Sequence, residues 1–418
     1  MDERDRLNRW IGEVWTSPWL KEVLHHLTLN IGPRFAGTEA ERQAAHFIRK
    51  QFEKSGLEPI EFQPIHFIGW KEAHGQLSSQ AEVFPVFPLA FSPPSHVTAP
   101  LVFLNEGMEQ DYQDVDVQGK IVLVTSATPP DRGRMVHRME KYKLAEGHGA
   151  VGFLFMNHYP GLLPVVGAVR FGEFGSIPGL GLSLETGKRL THSLSRQNNV
   201  TMVVKTDIQN LTSTNVVGWV YPTSRNFYKA PILVGAHYDS LNSIPGAIDN
   251  GVAVTILLHL ARVIRDFGPF LKRPVVFVAF GAEEIGLLGS KQLVQEAWTD
   301  DICLMINMDG IGSHPELQFN TQGFDKLRAQ LERSSHQLGI EMEFTNFPWP
   351  YTDHWPFVQK GIPSFQIRPR KSDLGRGWGH TPADTLDKIT SFNLKANAAV
   401  ITQFIIHLAL MEKLDIKG

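Results

Sequence analysis

The sequence has one cysteine in 418 residues, Cys303. A single thiol cannot form an intramolecular disulfide, which excludes a small disulfide-stapled secreted fold. Cys303 sits in the apolar run ICLMINM and reads as a small buried hydrophobe. Excess charge of either sign is also lacking, with a net charge of −3 and a pI near 6.6. The chain therefore offers no electrostatic case for nucleic acid or an anionic membrane as partner. No apolar run approaches the ~20 residues of a membrane span. The opening MDERDRLNRW has charges without the apolar core of a signal peptide. The expectation is a soluble cytoplasmic protein. There is no HExxH pair, no internal repeat and no low-complexity tract.

What is present is globular: 42% hydrophobic and 20% charged residues, in a chain long enough for one large domain or two ordinary ones. Residues 1–30 have helical apolar spacing through Trp10, Val14, Leu20, Val23, Leu24 and Leu27. Thr38, with Glu41 three residues on, signals a helix start, and Gly56 a stop. From about Gln76 to Asp207 the texture changes to short β-like runs separated by Pro and Gly, with one helix over 134–146. From Asn215 the rhythm is strand, loop, helix, with strands NVVGWVY, PILVGA, PVVFVAF, ICLMINM and PSFQIRP. The helix GLLGSKQLVQEAW follows the third of these and a last helix covers about 393–414. This alternation predicts an α/β fold: a mixed, mostly parallel central sheet with helices on both faces, plus a mostly β insert. The α/β unit is expected at 1–75 and 212–418, and the insert at 76–211.

In open α/β sheets ligands bind beyond the carboxyl ends of the strands. PILVGA is followed by His237, Tyr238 and Asp239; VVFVAFGA by Glu283 and Glu284; ICLMINM by Asp309. Asp249 stands at a helix entry, and His380 follows PSFQIRP. So many carboxylates on one rim repel unless a cation lies among them. The Asp/Glu/His mixture suits a divalent ion such as zinc. Five ligand-type residues exceed the needs of one catalytic ion and fit two sharing a bridging carboxylate better. Asp239 is placed to accept the other ring N–H of His237.

The motifs GAHYDS, GAIDNGVAV, FVAFGAEEIGLLGS, NMDGIG, TDHWPF…GIPSFQI and GHTPADTLDKI, in this order over about 215–390, resemble the two-zinc aminopeptidases of metallopeptidase family 28. IGPRFAGTEAERQAAHFIRKQFEKSGL resembles that family's N-terminal segment. VQGKIVLVTSA, GAVGFLF and SIPGLGLSLETGKRL resemble the protease-associated domain inserted in many members.

The resemblance implies two Zn2+ ions, with Co2+ or Mn2+ as possible substitutes. It implies His237 and Glu284 as terminal ligands of different ions, Asp249 as the bridge, Asp309 and His380 as the remaining ligands, and Glu283 as general base. The implied reaction is metal-assisted hydrolysis of peptides, releasing N-terminal, apolar residues. Family members often place a tyrosine immediately before the last histidine ligand as an oxyanion donor, and here Gly379 stands there. Trp378, Arg376, Tyr351 and His354 are the alternative donors. Tyr351, His354, Trp355 and Trp378 are the candidate substrate contacts, in or near the aromatic stretch NFPWPYTDHWPF. Competing readings within the resemblance are a carboxypeptidase or dipeptidase, a glutaminyl cyclase, and a catalytically silent scaffold. The Arg368–Arg370 pair and Arg170 are the cations a carboxypeptidase could use.

Overall fold

The computed structural model describes residues 2–79, 82–132, 134–193, 199–370, 377–414 and 416. Arg376, one of the expected donors, lies outside them. Three strands form the centre of the main sheet: Ile232–His237, Val275–Phe280 and Leu304–Met308. Every residue in them is buried, which is why they read as unbroken apolar runs. Ile232–His237 lies between the other two and parallel to both. Ser364–Pro369 adds parallel to Leu304–Met308, and Leu317–Asn320 then adds antiparallel.

Strand residues alternate between two apolar layers. Ile232, Val234, Val275 and Phe277 meet the helices Glu39–Lys54, Val252–Asp266 and Ser391–Leu410. Leu233, Val276, Val278 and Phe280 face the other way, towards Leu293 and Phe357 of two short helices. The expected helix after Glu284 is shorter than its sequence suggests, Leu288–Leu293, with a 3-10 turn at Ala297–Asp301. One stretch among the described residues, Ala247–Asp266, is long and apolar enough to cross a bilayer, but 94% of its apolar window is buried inside the protein. Thr38 caps its helix through Glu41 N, while the Glu41 carboxylate turns to Gly37 N and Ser213 Oγ.

Ile60–Ser78 and Asn199–Val220 form a long antiparallel ribbon, paired from Ile60↔Gly218 to Ser78↔Thr201. The sequence suggests two strands where Asn199–Val220 is one. Its middle, 207–210, is exposed throughout and so carries no apolar rhythm, yet the ribbon partner pairs its backbone. The ribbon carries the insert, in which Ser95–Phe103, Ile121–Thr125, Gly152–Met156 and Gly179–Leu182 run parallel. The helix expected from Arg134 begins at Arg138, because His137 is its N-cap: its side chain accepts from Met139 N at 3.3 Å.

The insert has a core of its own around Leu101, Leu123, Leu154, Leu182 and Met202. A second core joins insert residues Phe91, Tyr142, Phe153 and Val169 to Ala282 and Ile285, the neighbours of Glu283 and Glu284. Backbones also meet there, with Gly172 N donating to Ile285 O at 2.8 Å. Gly286, at φ +133, permits this approach, since a Cβ would fall 2.7 Å from Gly172 N.

Candidate metal centre

His237 ends its strand, Asp309 directly follows Leu304–Met308, and Glu283 and Glu284 follow Val275–Phe280. The three loops therefore open on one edge of the sheet. Asp249 arrives from the turn ahead of Val252–Asp266, where its peptide to Asn250 is cis. His380 arrives from the far end of the chain with a left-handed φ of 55°. These side chains converge. His237 Nε2 lies 3.1 Å from Asp249 Oδ1 and 3.4 Å from Asp309 Oδ1. His380 Nε2 lies 3.1 Å from Asp249 Oδ2 and 3.7 Å from Glu284 Oε2. The two oxygens of Asp249 thus face two different groups of ligand-type atoms. One atom each from His237, Glu283 and Asp309 lies within 4.8 Å of the others, and so does one each from His237, Asp249 and Glu284.

The electrostatics call for a cation. Burial pushes the carboxyls of Glu283, Glu284 and Asp309 above the usual carboxylate range, and carboxylates beside them push further. Burial alone would lower His237, but Glu283, Asp239, Asp249 and Asp309 outweigh it and raise it. Asp249 is held below its ordinary value because His237 and His380 outweigh its burial. The residues present fit a metal: His237 Nε2 is buried without a hydrogen-bond partner while carboxylate oxygens crowd it. Imidazole and carboxylate donors without thiolate suit zinc and similar divalent ions.

Every arm of the cluster is tied down from behind. The two oxygens of Asp239 accept from Glu283 N and Glu284 N, both at 3.1 Å. Its backbone oxygen is 3.2 Å from His237 Nδ1, closer than its carboxylate at 3.5 Å. The acceptor that orients the ring is thus chiefly the Asp239 carbonyl, while the carboxylate aims the two glutamates. Asp384 accepts from Ile248 N at 2.6 Å and Asp249 N at 3.0 Å. Burial pushes its carboxyl up to about 7. Asn250 donates to Met308 O at 2.9 Å and accepts from Gly310 N, linking the Asp249 and Asp309 loops. The fully buried Arg34 donates to Tyr238 O, Pro245 O and Gly246 O, pinning the chain after His237 and before Asp249. On the insert side, Arg138 donates to Val166 O and Ala168 O, and Val166 N donates to His380 O at 2.8 Å.

Asp249, Glu283, Glu284, Asp309 and His380 line one cleft. Its other wall comes from the insert, through Met135, His137, Arg138 and Phe171, although the insert's sequence reads as having little chemistry of its own. Of the expected substrate contacts, only Tyr351 lines the cleft. Its ring stacks on His137 at 4.1 Å and its hydroxyl donates to Glu140 at 2.8 Å, so it is bound to the insert. His354 is fully buried against Thr352 Oγ1, and burial depresses it to about 3. Trp355 opens the helix Trp355–Gln359, and Trp378 lies under Lys388. None of these three lines the cleft; after Thr352 the chain turns into that helix, which carries His354 and Trp355 away from it. Trp349 and Thr352 line it instead. Sequence reasoning also missed Asp353, a fully buried carboxyl pushed by burial to about 7 beside His237, Asp239 and Asp309.

A cluster of imidazoles and carboxylates on the strand ends of a parallel sheet defines an α/β protein with a site suited to a divalent metal ion. Comparison with known proteins narrows this. A model of peptidase family M28 matches residues 215–405 and a PA domain model matches 97–190. Aminopeptidase YwaD of Bacillus subtilis is 30% identical over 408 residues, 94% of this chain and 84% of that protein. Leucine aminopeptidase 2 of Trichophyton rubrum is 31% identical over 352 residues, 79% of this chain and 67% of that protein. The structure of BSAP, a zinc aminopeptidase from Bacillus subtilis, superposes with a TM-score of 0.73 at 27% identity, covering 96% of this chain and 97% of that one. The chain belongs to peptidase family M28, with an inserted PA domain.

Proposed function

We propose that the protein is a zinc-dependent aminopeptidase that removes N-terminal residues from short peptides, using two ions. The observation that carries the two-ion reading is Asp249, with one oxygen towards His237 and Asp309 and the other towards His380 and Glu284. On this reading His237 and Asp309 would hold one ion, Glu284 and His380 the other, and Asp249 would bridge them. When bound, zinc supplies Lewis acidity towards water and towards the scissile carbonyl. Glu283 takes the proton of the attacking water and returns it to the departing amine. The aminopeptidase names of YwaD and BSAP support the direction of attack.

The insert wall supports the preference for short peptides, since Met135, His137 and Phe171 restrict the space above the acidic floor. We divide the chain into a catalytic unit, 1–75 with 212–418, and an insert, 76–211. The separate core around Leu123 and Leu154 supports this division, although the ribbon pairing runs through both boundaries without a break. The test is metal analysis of the purified protein alongside hydrolysis of a leucine anilide. A free-amine peptide should be cleaved and its N-acetylated twin spared. Equal cleavage of the two contradicts the aminopeptidase reading, and absence of both metal and turnover sinks the enzyme reading.

A further inference from the structure

Glu41 is 2% exposed and lies on the first turn of the helix Glu39–Lys54. A glutamate three residues after a capping threonine ordinarily reaches back to the backbone N–H of that threonine. Here Thr38 N donates to Phe35 O instead, and the Glu41 carboxylate is used elsewhere. Gly37 N donates to one of its oxygens at 2.6 Å. Ser213 Oγ, from the ribbon strand Asn199–Val220, donates to the other. The backbone N–H of Ala282 is also directed at it. The helix start therefore explains only part of what this carboxylate does.

Ala282 stands directly before Glu283. Its φ is 56°, in the left-handed region that a residue with a Cβ enters only at a cost. The carbonyls of this turn are tied to the chain that follows: Ala282 O accepts from Leu288 N at 3.0 Å and Gly281 O from Gly289 N at 3.1 Å. Gly281 N donates to Asn215 Oδ1 at 3.2 Å. A Cβ on Gly281 would collide with Ser213 Oγ, so the turn also rests on the side chain that Glu41 holds. Three successive N–H groups are thus met by two buried carboxylates, that of Ala282 by Glu41 and those of Glu283 and Glu284 by Asp239. Beyond Glu284 the insert fixes the chain through Gly172 N and Ile285 O. Ahead of Glu283, the N–H of the left-handed residue depends on Glu41. We infer that Glu41 is a positioning residue for Glu283: it keeps Ala282 left-handed, so that the Glu283 carboxylate is presented in one direction. Glu284 is set separately, by Asp239 and the insert. This rests on the reading of Glu283 as general base.

The test is a double-mutant cycle on hydrolysis of a leucine anilide, with zinc content and urea midpoint measured for every variant. Glu41→Met removes both acceptor oxygens at nearly constant side-chain length. It should lower kcat tenfold or more, leave KM within twofold and keep the zinc content of the unsubstituted protein, because slight misplacement of a reacting group costs chemistry more than binding. Glu41→Gln, which keeps one acceptor oxygen, should recover part of the loss. With Glu283→Ala already in place, Glu41→Met should lower kcat less than twofold, since the group it positions is gone. Where Glu41→Met does not fold, Glu41→Asp, withdrawn by one carbon, takes its place throughout. Equal losses in the two backgrounds overturn the inference and leave the general-base reading standing. So does an unchanged kcat with Glu283 present, or a loss of zinc that accounts for the loss of turnover. Full turnover by Glu283→Ala alone overturns the general-base reading, and the inference with it.

Discussion

Glu283 and Glu284 are adjacent, both buried, and both aimed by Asp239. Their proposed roles differ and are separable. Glu283→Ala should keep both metals and lose about 10²–10⁴ in kcat, the range of a positioned general base. Glu284→Ala should lose metal at one site first. Metal stoichiometry in the two variants decides, and the reverse pattern exchanges the roles. A second prediction concerns stability. His259 is 1% exposed, and burial, with Arg262 beside it, holds its imidazole down to about 3. In the unfolded chain it titrates near 6.5, so the unfolded state takes up the proton first as pH falls. Its contribution is complete above about pH 6.5 and is lost progressively towards pH 3, reaching about 1.4 kcal/mol at pH 5.5. His259→Phe should flatten the fall in unfolding free energy between pH 7.5 and 5.5 by about that amount, read from urea titrations. His237, Glu283, Glu284 and Asp309 were legible in the sequence because each follows an apolar strand, and Asp249 because it stands at a helix entry. Arg34, Asp353 and Asp384 were not, because their value lies in what they touch across the fold.

Single elements show why partial reading stops where it does. The loop 166–168 has no sequence signal, yet it bonds His380 and is itself gripped by Arg138. Arg138→Met should weaken metal binding about 10-fold or more at the site proposed to use His380, as loss of a supporting hydrogen bond behind a ligand typically does. Metal titration of the folded variant checks this, and unchanged affinity with a lowered Tm would make the grip structural only. The aromatic stretch 346–357 was legible as a unit, but not which of its rings face the cleft. Trp355→Ala should leave the preference among leucine, alanine and lysine substrates unchanged, whereas Trp349→Ala should alter it, because Trp349 lines the cleft and Trp355 does not. Comparing kcat/KM across the three substrates separates them. The long strand Asn199–Val220 illustrates the same limit: an exposed middle hides continuity that only pairing reveals.

At the scale of the molecule, metal binding and folding are linked. Removing the ions should lower Tm, with about 2.7 kcal/mol lost for each site that was held at 100 times its Kd. Calorimetry with and without chelator measures it. The sheet, its helices and the rim of ligand-type residues follow from strand rhythm. The join between insert and rim does not, since it consists of backbone contacts such as Gly172 with Ile285 and Val166 with His380. That join also bears on synthesis. Ligand-type residues are spread from His237 to His380, and their props from Arg34 to Asp384, so a ribosome-bound chain carries most of the cluster before its last members emerge. Uptake of both ions should therefore be a late event, and stalled chains ending before His380 should bind metal poorly even with the insert already folded.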